Sequence, residues 1–483
     1  MKILFAASEI TPFAKTGGLA DVAGSLPLAL SRLGHDIRLV MPRYRQVDPE
    51  RFGLRHAASF YVPLGTWKER CSVFEGKAGG YVPVYFINKD IYFDRPELYR
   101  TTRADYADNA ERFIFFSRSI LELCNAAGFR PDIMHLNDWQ TGLVALYLRK
   151  AYSESPLLKH TKTVFTIHNL GYQGIFWRHD LRLIGLGWDI FTPEGIEFWG
   201  DINFLKAGLV YSDAITTVSK TYSREIQTAE YGHGLEGVLQ KRSRDIYGIV
   251  NGIDYNEWDP SRDGLIARTF TSKRLSGKTE CKRRLMNYAG LEGYEAPLLG
   301  LVTRLTEQKG LDILSGAVSR IIKLGYRVVI LGRGDEKYHR ILSDIEAASS
   351  GRIRLFLDFN DGLAHAIYAG SDMFLMPSRY EPCGLGQMIA QRYGTVPVVR
   401  RTGGLADTVV DYDVRTGKGT GFLFDEYSAE ALAACVRRAL DIYSDKKRWA
   451  ALMRACMKQD FSWERSAMEY DKLYRKVMGR GAR

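Results

Sequence analysis

Short unbroken apolar runs along this chain alternate with longer stretches in which apolar residues return at helical spacing. Residues 3–7 and 37–41 read as buried strands, and a helical pattern connects them to about residue 33, with Pro27 expected as a break or restart. That order is a βαβ unit, which implies a parallel sheet with ligands at the carboxyl ends of its strands. Residues 52–93 alternate more and carry several Gly and Pro, so hairpins or an antiparallel excursion are expected there. A long amphipathic stretch at 106–127, a strand at 132–136, a helix at 142–150 and strands at 163–167, 214–218 and 246–250 complete the first half.

The turn signal Asn251-Gly252-Ile253-Asp254 opens an irregular stretch to about residue 271, and the domain boundary is drawn there. A second alternation follows, with strands at 298–302, 328–331, 353–357, 373–376 and 396–399 and helices between them. Residues 462–478 read as a closing helix capped by Ser462. The fold class is therefore α/β, with two doubly wound, Rossmann-like domains expected to face each other across a cleft.

Composition narrows the function classes. The net charge of +11 suits an anionic ligand such as a nucleotide, or simply a basic surface. Lys241-Arg242 and Lys282-Arg283-Arg284 are short, and no nucleic-acid-binding module surrounds them, so no nucleic-acid partner is expected. The six cysteines lack any CxxC pair or histidine cluster, which argues against zinc and against a disulfide framework. No apolar run is long enough for a membrane span, and Glu9 comes too early for a signal peptide, so a cytoplasmic protein is expected. Tyr and Trp are plentiful, and these side chains stack on sugars and bases but more often simply pack.

Several motifs stand just past strand ends. Lys15-Thr16-Gly17-Gly18-Leu19-Ala20-Asp21 recurs as Arg401-Thr402-Gly403-Gly404-Leu405-Ala406-Asp407. Paired glycines after a strand let bare N–H groups approach a ligand, and a helix starting there favours phosphate; a tight capped turn is the other reading. Arg304 and Lys309 lie five positions apart around a turn after the strand that opens the second domain. Such cations can hold a diphosphate and neutralise charge on a phosphate leaving group. In Glu381-Pro382-Cys383-Gly384-Leu385-Gly386-Gln387 the carboxylate suits sugar hydroxyls, while the N–H groups of residues 384–387 can receive phosphate. His168 beside Asn169, and Asp138 after the strand at 132–136, are open between a sugar contact and a structural role. Gly332-Arg333-Gly334 is only an echo of a dinucleotide loop, and no Walker loop, HExxH or serine-hydrolase elbow is present.

Taken together, residues 15–21, 135–140, 166–174, 251–254, 304–310, 377–387 and 401–407 closely resemble bacterial glycogen synthases and plant starch synthases, in order and over essentially the whole length. The resemblance implies a GT-B fold, with residues 1–253 as the glucan acceptor domain, 254–461 as the nucleotide-sugar donor domain, and a helix at 462–483 returning to the first. It implies transfer of glucose from ADP-glucose to the 4-hydroxyl at the non-reducing end of an α-1,4-glucan, with retention and without a cofactor or metal. By position, Lys15, Gly17 and Gly18 would contact the donor, and Arg304 and Lys309 would hold its diphosphate. Glu381 would bind the transferred sugar, His168 and Asn251 would line the glucose pocket, and Asp138 would support the active site. Phe359 falls where the family places an aromatic against adenine, and the backbone from Cys383 through Gly384 and Leu385 to Gly386 would meet the phosphates.

Two departures bear on mechanism. Ile389 stands where related transferases carry a second glutamate, so a two-carboxylate displacement is not supported; Gly386 replaces a side-chain donor with backbone alone. Same-face substitution is expected, with the leaving diphosphate taking the acceptor's proton and hinge motion near residues 251–259 and before Ser462. A UDP-glucose-dependent synthase, a pyridoxal-dependent glucan phosphorylase and an inactive glucan-binding relative are the rival readings. The sequence leaves oligomeric state and a plant plastid setting open.

Overall fold

A computed structural model describes residues 1–101, 104–358 and 360–479. The chain divides into two compact units: Met1–Val218 with Ser223–Gly252 and the chain from Trp463 onward form the first, and Ser219–Tyr222 with Ile253–Ser462 form the second. The short passage at 219–222 clusters with the second unit, where the Thr221 N–H and hydroxyl both donate to the Asp407 carboxylate, at 2.9 and 2.7 Å.

In the first unit, β1 (Lys2–Ala6), β2 (Asp36–Pro42), β3 (Arg55–Leu64), β4 (Trp67–Ala78), β5 (Val82–Asn88), β6 (Ile133–Asn137) and β7 (Lys162–Ile167) are followed by three very short strands. These are β8 (Ile175–Phe176), β9 (Glu197–Phe198) and β10 (Asp201–Asn203), which make a separate small sheet. β11 (Ala214–Thr217) and β12 (Ile246–Gly248) complete the main sheet, in the order β12-β11-β7-β6-β1-β2-β5-β4-β3. Its pairs are parallel except β3·β4 and β4·β5, so the expected antiparallel excursion is real but fused to the edge of the parallel sheet.

The helix Gly18–Arg32 runs through Pro27 without interruption, contrary to the expected break. Proline removes one intrahelical hydrogen bond, but Leu19, Ala20, Val22, Ala23, Leu26, Ala29 and Leu30 are buried on this helix, and their burial outweighs that local cost.

The second unit carries β13 (Leu298–Val302), β14 (Arg327–Leu331), β15 (Ile353–Phe356), β16 (Met373–Met376), β17 (Val396–Arg400) and β18 (Phe422–Phe424), all parallel, in the order β15-β14-β13-β16-β17-β18. Strands covered on both faces read as continuous apolar runs, which is why most of them stand out in the sequence. One face packs Leu299, Leu301, Val328, Ile330, Leu375 and Val398 against the amphipathic helices Leu311–Lys323 and Ala429–Ser444. All six cysteines are free and buried. Among the described residues no helix is long and apolar enough to cross a membrane.

The last helix, Trp463–Gly479, belongs to the first unit and packs beside Gly18–Arg32. Its fully buried Tyr474 hydroxyl lies 2.6 Å from His135 Nδ1, and His135 Nε2 lies 2.6 Å from the Thr166 hydroxyl, which in turn meets Thr216. This buried chain ties the carboxyl-terminal helix to β6, β7 and β11. Burial holds the His135 imidazole neutral, pushing its pKa down to about 3. Tyr474→Phe leaves the ring nitrogen without its partner and is expected to cost about 1–3 kcal/mol, with Tyr474→Ala costing more because a cavity is added. Denaturant unfolding of both variants measures the difference; wild-type stability in both refutes the tie.

Candidate active site

In each unit the strand order reverses at one place, and a doubly wound sheet opens a crevice there at its carboxyl edge. In the first unit the reversal lies between β1 and β6, which pair directly. The residues beyond these ends are Ser8 and Glu9 on one side and Asp138 on the other.

Asp138 has φ 55° and ψ −176°, a backbone conformation almost confined to glycine and costing on the order of 1–3 kcal/mol. The surrounding bonds impose it: its N–H donates to the Thr166 carbonyl at 3.0 Å, and its Oδ1 accepts from the His168 N–H at 2.7 Å. Burial pushes the Asp138 carboxyl up to about 7; the negative charge of Glu9 adds to the rise, and the N–H groups of His168 and Asn169 oppose it. The His168 ring, following β7, is held neutral by burial, with its pKa pushed down to about 3, and its Nε2 lies 2.9 Å from Asn137 Oδ1.

The first glycine turn lies beside this group through Glu9. That carboxylate accepts from the Thr16 N–H at 2.5 Å, the Thr16 hydroxyl at 2.6 Å and the Gly17 N–H at 3.3 Å. Tyr99 donates to it at 2.7 Å. The turn thus already holds an anion of its own on two N–H groups, while Gly17 and Gly18 have nothing within 4 Å of where a Cβ would stand. Lys15 is exposed and paired to Asp21 at 2.7 Å.

The second unit reverses between β13 and β16. Past β13, residues 307–309 form a short helical turn and Gly310 follows at φ +70°; past β16 comes the segment from Pro377 to Glu381. A Cβ on Gly310 would sit 1.9 Å from the Pro377 carbonyl oxygen, so glycine is required for the two loops to lie this close. The contact brings Lys309 Nζ to 2.7 Å from Glu381 Oε2, with side-chain exposures of 14% and 7%. Ser378 donates to the same oxygen at 2.9 Å. Gln308 secures the pairing, giving its amide to Tyr380 O at 3.1 Å and accepting the Arg379 N–H at 2.9 Å. Arg304 is exposed and has no ion-pair partner among the described residues.

The second glycine turn behaves differently from the first. A Cβ on Gly403 would stand 1.9 Å from the Glu381 carbonyl oxygen, and one on Gly404 would stand 2.0 Å from that of Cys383. The Gly404 N–H donates to Glu381 O at 3.0 Å. The expectation that both copies offer N–H groups to a ligand is therefore corrected for residues 401–407: these glycines let the turn press against the backbone of residues 381–383. Gly332 and Gly334 serve the same end, admitting the loop after β14 to the backbone of Thr303 and Leu305 around Arg304. Gly384 at φ +73° turns the chain through Leu385 into the helix that starts at Gly386, and Gln387 Nε2 caps the Cys383 and Gly384 carbonyls.

Asn251 is buried, and its side-chain oxygen has no hydrogen-bond partner among the described residues. Phe359 lies outside the described residues. Sequence reading missed Glu9, Asn137, Tyr99, Ser378 and Gln308. Of these, Glu9, Asn137 and Ser378 carried a usable signal, since each stands at or just past the end of a strand.

The profile of the starch synthase catalytic domain matches residues 2–241, and that of glycosyl transferases group 1 matches residues 291–454. The chain is 48% identical over 480 residues to a glycogen synthase of Syntrophotalea carbinolica, covering 99% of each. It is 47% identical over 485 residues to a glycogen synthase of Geotalea daltonii, covering 100% of each. Among solved structures, the catalytic domain of starch synthase IV from Arabidopsis thaliana, determined with ADP and acarbose bound, superposes with a TM-score of 0.91 at 35% identity, covering 99% of both chains. A sucrose-phosphate synthase from Thermosynechococcus elongatus, at TM-score 0.63 and 16% identity over 99% of both chains, shares the fold.

Two substitutions test this geometry. Gly310→Ala forces a left-handed residue to carry a Cβ, which costs about 1–2 kcal/mol before the Pro377 overlap is counted. Its denaturation midpoint is expected to fall; an unchanged midpoint contradicts the close approach. Asp138 binds its proton more tightly folded, near pH 7, than unfolded, near pH ~3.9, so its contribution destabilises progressively as pH rises through that window. Asp138→Asn is thus expected to raise the melting temperature at about pH 8 and leave it nearly unchanged at about pH 4, as thermal scans at both values would record.

Proposed function

The chain belongs to the glycogen synthase and starch synthase family of glycosyltransferases, and from that membership we propose that it moves glucose from ADP-glucose to the non-reducing-end 4-hydroxyl of an α-1,4-glucan, with retention, releasing ADP. The observation that carries the reading is the Lys309–Glu381 pair, held where the second sheet reverses. ADP in the starch synthase IV structure supports the choice of nucleotide.

Each group then has a task. Lys309 and Arg304 offset the charge that gathers on the diphosphate as the bond to the sugar C1 lengthens. Glu381, its Oε2 fixed by Lys309 and Ser378, accepts hydrogen bonds from sugar hydroxyls through its remaining lone pairs. The backbone at Cys383, Gly384, Leu385 and Gly386 receives phosphate oxygens. In the first unit Lys15, Gly17 and Gly18 contact the donor, His168 and the orphaned Asn251 oxygen meet glucose hydroxyls, and Asp138 holds the His168 backbone in place.

Glycosyl transfer on one face balances without an enzyme nucleophile. The C1–O bond to diphosphate breaks, the bond from the acceptor O4 forms on the same side, and the acceptor's proton passes to the departing phosphate oxygen. Fixed cations do the work of charge neutralisation, so the reading assigns no cofactor and no metal to the step. It places the enzyme in the cytoplasm, with ADP-glucose and glucan as its partners.

ADP release from ADP-glucose with glycogen as acceptor tests the proposal, with UDP-glucose as competitor. Activity is expected to survive EDTA, and complete loss on chelation overturns the metal-free reading. Lys309→Ala is expected to lower turnover at saturating donor by roughly 10²–10³-fold, the worth of one electrostatic donor of about 2.7–4 kcal/mol. Near-normal turnover in that variant refutes the role.

A further inference from the structure

We propose that Asn137 is a positioning residue that sets which nitrogen of His168 serves the sugar: it holds the ring in the Nε2-protonated form, leaving Nδ1 as a hydrogen-bond acceptor for a hydroxyl of the transferred glucose. This rests on the reading of His168 as a glucose contact.

The chain of reasoning starts at β1. Asn137 is fully buried at the end of β6, and its side-chain nitrogen donates to the carbonyl of Ala6, the last residue of β1, at 2.9 Å. A backbone carbonyl can only accept, so the nitrogen end of the amide must face Ala6. The oxygen end then faces His168 Nε2 at 2.9 Å. An amide oxygen also only accepts, so Nε2 must carry the hydrogen. Were the proton on Nδ1 instead, two lone pairs would meet across that distance with no donor between them.

A neutral imidazole has one N–H, so with Nε2 protonated Nδ1 keeps its lone pair. The sugar hydroxyl that meets it must donate, which fixes the hydroxyl's orientation as well as its position. An imidazolium would present N–H on both sides and reverse this polarity. The titratable groups around the ring are Asp138, which accepts the His168 backbone N–H, and His135, with Glu9 beyond Asp138. His135 is two residues back on β6, so it and Asn137 share a face of the strand, and its own ring is occupied by Tyr474 and Thr166.

The type of residue at 137 matters as well as its shape. An amide orients the ring without charging it, whereas a carboxylate in its place would draw a second proton onto His168. Asn137 thus selects an acceptor at Nδ1 where aspartate would favour a donor.

Two measurements test the proposal. In the full-length protein without substrate, ¹⁵N-histidine spectra, with the His168 signals assigned by their loss in His168→Gln, are expected to show the neutral Nε2-protonated ring from about pH 6 to about pH 8. A ring protonated at Nδ1 overturns it, whether or not the protein is active. Kinetics supply the second test. Asn137→Ala is expected to lower kcat/KM by about 10-fold or more without adding a titration. Asn137→Asp keeps an acceptor for Nε2–H but sets its other oxygen against the Ala6 carbonyl and raises the His168 pKa, so kcat/KM is expected to gain an acid limb that falls below neutrality and that Asn137→Ala lacks. Equal losses in the two variants at every pH, with wild-type melting behaviour, would mark a merely structural residue. Absence of ADP release by the wild type would instead defeat the proposed function and leave the tautomer assignment to the spectra.

Discussion

A lysine and a glutamate enclosed together, 2.7 Å apart, are the constraint on which the second unit depends. Taking both charges out of water costs several kcal/mol each, and that cost is offset only where the geometry is good and further hydrogen bonds complete the shell. The second sheet provides those conditions. β13 and β16 are direct neighbours although much of the unit lies between them in sequence, so the loops that follow them emerge side by side. The missing side chain of Gly310 lets those loops touch, Ser378 donates to the same Glu381 oxygen that Lys309 meets, and Gln308 ties the two loops together through the Tyr380 carbonyl. A pair built this way keeps the lysine aimed in the absence of ligand, which is what electrostatic preorganisation requires.

The two Thr-Gly-Gly turns show how one local sequence serves two physical ends. At residues 16–18 the glycines face open space, and the N–H groups of Thr16 and Gly17 hold the Glu9 carboxylate. At residues 402–404 they are pressed onto the backbone that carries Glu381, and Asp407 is spent on Thr221. The first turn faces open space; the second is a buttress behind the glutamate.

Much of this was readable from residue order. Parallel strands buried on both faces are written as apolar runs, so β13 and β16 were found to the residue, and the antiparallel β3 to β5 showed through their alternation. Strands of two or three residues, such as β8, β9 and β18, are too short to leave a period, and Pro27 misled because its local cost is small beside the burial of its helix. Lys309 and Glu381 were legible as candidates because they follow strands, but their pairing was not, since it depends on which strands become neighbours. Glu9 was seen only as a charge too early for a leader. Its role appears once β1 and β6 are placed together, and so does that of Asn137, whose partner is a backbone carbonyl with no signature in any sequence.

The bond between His135 and Tyr474 joins residues 339 positions apart. Because the helix bearing Tyr474 follows the whole of the second unit in sequence, the first unit cannot be completed until that unit has been made. Its sheet has to wait on the ribosome, one side unsealed, until the whole of the other unit has been translated. Loss of the helix that carries Tyr474 therefore strikes the unit that precedes the second in sequence.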